Sequence, residues 1–115
     1  MLAAESRMRR ADLERMFEAK PAEMLQVGED RVLVVWRFEQ RWSELEPAVV
    51  NVVALEDREG RIHWWHRVPA ALAYICWSAD CPLCTPTRVL WPLVDGDETP
   101  AEREQALRSN GLLPD

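Results

Sequence analysis

Arg31-Val32-Leu33-Val34-Val35-Trp36-Arg37-Phe38-Glu39-Gln40-Arg41 decides how this chain is read. Val32, Val34, Trp36 and Phe38 fall on one side of an extended backbone, and Arg37, Glu39 and Arg41 fall on the other. A period of two residues belongs to a strand, because successive side chains point to opposite faces of the pleat. Gly28-Glu29-Asp30 in front of it reads as a turn.

Downstream, Ser43 to Pro47 reads as a connecting loop, and a second strand is expected from Ala48 to about Glu56, apolar on both faces except at Asn51. Asp57-Arg58-Glu59-Gly60 is a hairpin turn in which the glycine is free to take positive φ. A third strand follows over Arg61 to Val68, with Ile62, Trp64, His66 and Val68 expected on one face and Arg61, His63, Trp65 and Arg67 on the other. Upstream, residues 5–20 read as a helix, with Leu2, Leu13, Met16 and Phe17 on one side, Ser6 as N-cap and Pro21 as stop.

The C-terminal part is less regular. Ala70 to Trp77 fits either a short helix begun by Pro69 or a buried strand, and Cys76 to Pro86 reads as a compact loop. Arg88 to Val94 reads as a strand that Pro92 confines to an edge. Thr99-Pro100-Ala101-Glu102 is a capping box with proline at the first helical position, opening a helix that runs to about Ser109 and ends at Asn110-Gly111. Together these elements specify a single α+β domain spanning 1–115, built on a curved antiparallel sheet with packed helices.

Composition narrows the function classes. Apolar residues make up 48% of the 115 and charged residues 30%, which suits a folded globule. Fourteen basic against twenty acidic residues give a net charge of −6, which opposes binding to a phosphate backbone and suits a cytoplasmic protein. Val68 to Ala79 is too short to cross a bilayer, and Met1 to Glu5 lacks the basic cap and apolar stretch of a secretory signal. The four glycines, at 28, 60, 96 and 111, form no phosphate-binding loop.

The segment from Gly28 to Phe38 resembles a strand of the polyketide-cyclase-like branch of the nuclear transport factor 2-like superfamily. Val49 to Leu55, Gly60-Arg61-Ile62 and Trp65 are similar to that family's later hairpin, and the helix ahead of the first strand agrees in order. The likeness covers roughly residues 10–68. It implies a cone of curved antiparallel sheet with helices on its concave side, dimerisation through the sheet, and in many members a small apolar ligand in the cone. The family normally carries two further helices and a strand ahead of the helix at 5–20, where its acid–base residues often sit, so the resemblance assigns no catalytic residue to this chain.

Candidate site residues follow from their chemistry. Trp36 and Trp64, with Trp91, offer apolar walls for a cavity, and the same rings serve equally as core or interface. Trp42 and Trp65, beside charges, fit an interface better. His66 is a titratable group among apolar neighbours, able to orient a ligand or act as a base, or simply to bond a core carbonyl. Asn51 interrupts an apolar strand on the parity of Val49, Val53 and Leu55, as a buried amide meeting a ligand or a neighbouring strand, or as an exposed edge position.

All three cysteines, Cys76, Cys81 and Cys84, fall within nine residues and include a CxxC. Such a turn brings thiolates onto one zinc at about 2.3 Å each, with His63 or His66 as a fourth ligand. The same CxxC also fits a thiol oxidoreductase turn, or thiols that merely pack. The resulting expectation is a non-catalytic binding or assembly module that forms a homodimer, takes a small apolar ligand at Trp36, Asn51, Trp64 and His66, and needs no cofactor. The alternatives are a zinc-organised domain, a small isomerase or hydrolase using His66, and a thiol oxidoreductase.

Overall fold

The computed structural model describes residues 7–41, 47–69 and 85–113. Along the chain they form α1 (Arg10–Phe17), β1 (Glu23–Val27), β2 (Arg31–Arg41), β3 (Pro47–Glu56), β4 (Ile62–Pro69), α2 (Thr85–Asp95) and α3 (Pro100–Ser109). The strands make one open, curved antiparallel sheet in the order β1-β2-β3-β4, so every strand pairs with its sequence neighbour. The α+β class expected from the sequence is therefore the observed one.

Both faces of the sheet are covered. On one, Leu33, Val35, Val53, Leu55 and Val68 pack against Leu90, Leu93 and Val94 of α2 and Leu107 of α3. On the other, Val34, Trp36, Val52, Ala54 and Ile62 pack against Leu13 of α1. This explains why β3 reads as apolar on both parities, since a strand covered twice has no solvent face.

Four local expectations need correction. The helix expected over 5–20 spans only Arg10–Phe17 among the described residues. Arg9 is held extended by antiparallel pairing with Arg61, and its N–H donates to Asp12 Oδ2 at 2.8 Å, so Arg9 takes the N-cap place expected of Ser6. At the other end Glu18 adopts φ 52, a left-handed conformation that costs a non-glycine residue about 1 kcal/mol. It closes the helix three residues before Pro21. Second, β1 is a strand that the sequence pattern does not predict, because five residues bordering a turn carry too little periodicity to announce one.

Third, Ile62 does not share a face with Trp64. The register of β3 and β4 shifts after Leu55, pairing Leu55 with Trp64 but Glu56 with Ile62, so His63 is an extra residue on β4. A bulge of this kind inverts the alternation of everything beyond it. Fourth, the edge strand expected over Arg88 to Val94 is part of α2, which also takes in Thr85 and Pro86 from the expected loop. Leu90, Leu93 and Val94 follow helical spacing toward the core, while Pro92 lies exposed on the outer side of the helix.

The hairpin turn and the terminal helix match their sequence reading. Gly60 has φ 84, and its N–H donates to Asp57 O at 3.0 Å. In α3, Glu102 N–H donates to Thr99 Oγ1 at 3.2 Å and Thr99 N–H donates to Glu102 Oε1 at 3.1 Å. Gly28 takes φ 60 in the β1–β2 turn, where a Cβ would also collide with the Glu104 carboxylate.

Leu107 is fully buried between α3 and the sheet, whereas Met16 is 55% exposed. Leu107→Ala should lower the unfolding free energy by about 2–5 kcal/mol, and Met16→Ala should stay within about 0.5 kcal/mol of the parent. Urea titration followed by tryptophan fluorescence measures both.

Candidate functional site

Asn51, Trp64 and His66 stand on one face of the sheet, the face that α2 and α3 cover. On β3, Asn51 shares the parity of Val53 and Leu55, as its spacing predicts. On β4, past the bulge, Trp64, His66 and Val68 pair with Leu55, Val53 and Asn51 respectively. Trp36 lies on the opposite face with Leu13 and Ile62, fully buried, its indole N–H donating to Ala19 O at 2.9 Å. The four residues expected around one ligand are thus divided three to one by the sheet.

The shared face has a polar row across an otherwise apolar floor. Asn51 is 1% exposed, and its Oδ1 is buried without a hydrogen-bond partner. Its cross-strand neighbours are Arg37 on β2 and Val68 on β4. Arg37 donates to Val94 O near the end of α2 at 3.2 Å and pairs with Glu23 of β1 at 2.5 Å. The guanidinium thereby ties β1, β2 and α2 together beside the Asn51 amide. A buried carbonyl oxygen without a donor costs about 1–3 kcal/mol, and native proteins rarely tolerate one without cause.

Farther along the same face, the rings of Trp64 and His66 lie 5.1 Å apart at 36°. Trp64 is fixed by its indole N–H, which donates to Leu112 O at 2.7 Å, and Leu112 and Leu113 follow α3 onto the cluster. Burial pushes the His66 imidazole below its ordinary value of 6.5, because a charged ring loses hydration there. Near neutrality His66 is therefore an uncharged ring, able to donate one hydrogen bond and accept another. Trp91 packs partly buried against this same cluster.

Sequence reasoning missed a second polar cluster at the β3–β4 turn. Asp57 Oδ1 accepts from the backbone N–H groups of Glu59 and Arg61, each at 2.9 Å, and Oδ2 lies 2.8 Å from His63 Nε2. Burial alone would raise the Asp57 pKa, but the bonds from Arg61, His63 and Glu59 together outweigh it and hold the carboxyl below its ordinary value. A cavity of about 210 Å³ beside the pair is lined also by Asp30, Arg31 and Arg58. Regular alternation along the strand hides this pair, because only the bulge at His63 turns an exposed histidine back onto a turn aspartate six residues earlier. Trp65, expected at an interface, instead packs edge-on against Phe17 at 5.6 Å.

Cys76, Cys81 and Cys84 lie outside the described residues, as do Trp42 and the segment 70–84. Among the described residues no three His, Cys, Asp or Glu side chains converge as metal ligands, and no helix is long and apolar enough to cross a membrane.

Two pH windows follow. His66 has its folded pKa depressed, so the unfolded chain takes up the proton first. Its contribution to stability is complete above 6.5 and is lost as pH falls from there toward the folded value. Asp57 is depressed as well, so its contribution is present above 3.8 and is lost only at lower pH, through its folded value. His66→Gln should therefore show a smaller drop in urea midpoint between pH 7.5 and 5.5 than the parent, while Asp57→Asn should alter the drop below pH 4. Equal drops in parent and His66→Gln would show that His66 is not shielded by burial.

Comparison of the chain with protein-family models, with curated proteins and with solved structures returned no match.

Proposed function

We propose that this protein is a small, non-catalytic binding module whose ligand is held on the α2–α3 face of the sheet, along the line of Asn51, His66 and Trp64. The observation that carries this reading is the buried Asn51 Oδ1 without a partner. A donor on a bound molecule would satisfy that oxygen, and the tilted Trp64–His66 pair would supply apolar contact farther along the face. An uncharged His66 supports recognition by hydrogen bonding rather than by charge. The net charge of −6 favours a small-molecule partner over a nucleic acid. The suggested kinship with cone-fold proteins and a cytoplasmic location belong to the same proposal.

Self-association through the sheet is its second part. The outer edge of β1 is sealed by α3, where Arg103 Nη1 donates to Gln26 O and Gly28 N–H donates to Pro100 O, both at 2.9 Å. Among the described residues, Met8 and Arg9 pair only with the start of β4, at Ile62 and Arg61. The rest of β4 is the edge along which a second copy would extend the sheet.

Asn51→Leu replaces the orphan amide by an apolar group of similar shape and should raise the unfolding free energy by about 1 kcal/mol while removing ligand binding. A loss of more than about 2 kcal/mol would instead mark the amide as a structural bond. Native mass spectrometry of the protein as purified should show a dimer carrying a small-molecule adduct that the Asn51→Leu protein lacks. A monomer without adduct in both proteins would sink the reading.

A further inference from the structure

Beyond that site, the opposite face of the sheet carries a cover of a different kind from α2 and α3. Phe17, at the end of α1, is the hub of an aromatic cluster. Its ring lies 5.4 Å from Trp36, 5.8 Å from Phe38 and 5.6 Å from Trp65, edge-on to each. Leu13 is the one residue of the helix that is fully buried, and Phe17 packs partly buried against the same cluster. Eight residues are too few for a helix to stand on its own backbone bonds, so α1 persists because this face holds it.

The ends of α1 are built like a clasp and a hinge. At the front, Arg9 Nη1 donates to Glu59 O at 2.5 Å, Arg9 pairs with Arg61, and Ile62 N–H donates to Met8 O at 2.9 Å. These contacts fasten the lead-in of α1 to the β3–β4 turn, which is itself stiffened by the Asp57 carboxylate. At the rear, Glu18 is the one described non-glycine residue with positive φ, and it is exposed. Just beyond it, Ala19 O accepts from the Trp36 indole, and Ala22 N–H donates to Val35 O at 2.7 Å, where the chain joins the sheet. A left-handed glutamate stores strain that release of α1 would relieve.

We infer that α1 is a hinged cover that opens about Glu18 while the sheet and the α2–α3 layer stay folded, withdrawing the Phe17 ring from a slot between Trp36, Phe38 and Trp65. The slot it leaves is walled by rings on three sides and suits an uncharged aromatic ring of the size of Phe17 itself. Trp36, the expected ligand-binding residue that lies apart from the others, becomes accessible by this route.

Native-state hydrogen exchange tests the cover on the intact chain, with toluene as the ring probe. The amides of Glu14 to Phe17 should be at least roughly a hundredfold less protected than those of Val34 and Val53, as expected for a unit that opens by itself. Arg9→Ala should raise α1 opening severalfold, and Glu18→Gly should lower it by roughly fivefold, because glycine accepts the left-handed conformation. Toluene should speed exchange in α1 and leave the strands unchanged. Exchange of α1 in step with β2 and β3 in all three proteins would overturn the cover. So would α1 opening that toluene leaves untouched.

Discussion

The pairing of β2 with β3 is the constraint on which the rest of the structure depends. It runs from Val32 opposite Glu56 to Arg41 opposite Pro47, and its middle is buried on both faces. No alternation of inside and outside survives there: Leu33, Val34, Val35 and Trp36 are all fully buried in succession, and so are Val53, Ala54 and Leu55. A ladder of this kind satisfies its own backbone groups but leaves two apolar surfaces. Two layers of helix are then obligatory. The four strands follow one another closely along the chain, so α1 comes from ahead of them and α2 and α3 from behind.

How the two surfaces are covered differs in physical character. The α2–α3 face is closed by aliphatic side chains and by polar ties that cross between elements, with Arg37 reaching Val94 O and Arg103 reaching Gln26 O. The α1 face is closed chiefly by aromatic rings meeting edge to face around Phe17. Aliphatic interdigitation fixes a helix along its length, whereas rings gathered at one end of a short helix fix mainly that end. The first face also holds the polar exceptions, the Asn51 amide and the His66 imidazole.

The bulge at His63 has consequences out of proportion to one residue. It sends Ile62 to the α1 face and keeps Trp64 on the other, so the two hydrophobic clusters each gain a member from the same strand. It also takes His63 out of the regular ladder and sets it within 2.8 Å of Asp57, whose carboxylate organises the turn. The same irregularity therefore sets the distribution of the core and builds the polar cluster at the sheet's end.

Residues 31–41, the Asp57–Gly60 turn and the capping box at Thr99 were legible from the sequence, because each is governed by neighbours a few positions away. Asn51 was legible for the same reason, as a polar residue on a known parity. The tertiary structure alone decided that Arg88 to Val94 would be helix, because a helix presents Leu90, Leu93 and Val94 together to a waiting apolar face and lets Pro92 point outward. It alone placed β1, too short to announce itself, on the edge of β2 and under α3. It also separated Trp36 from Trp64, since alternation along a strand fixes a side only up to the first bulge, and the register between strands is set by contacts far apart in the chain.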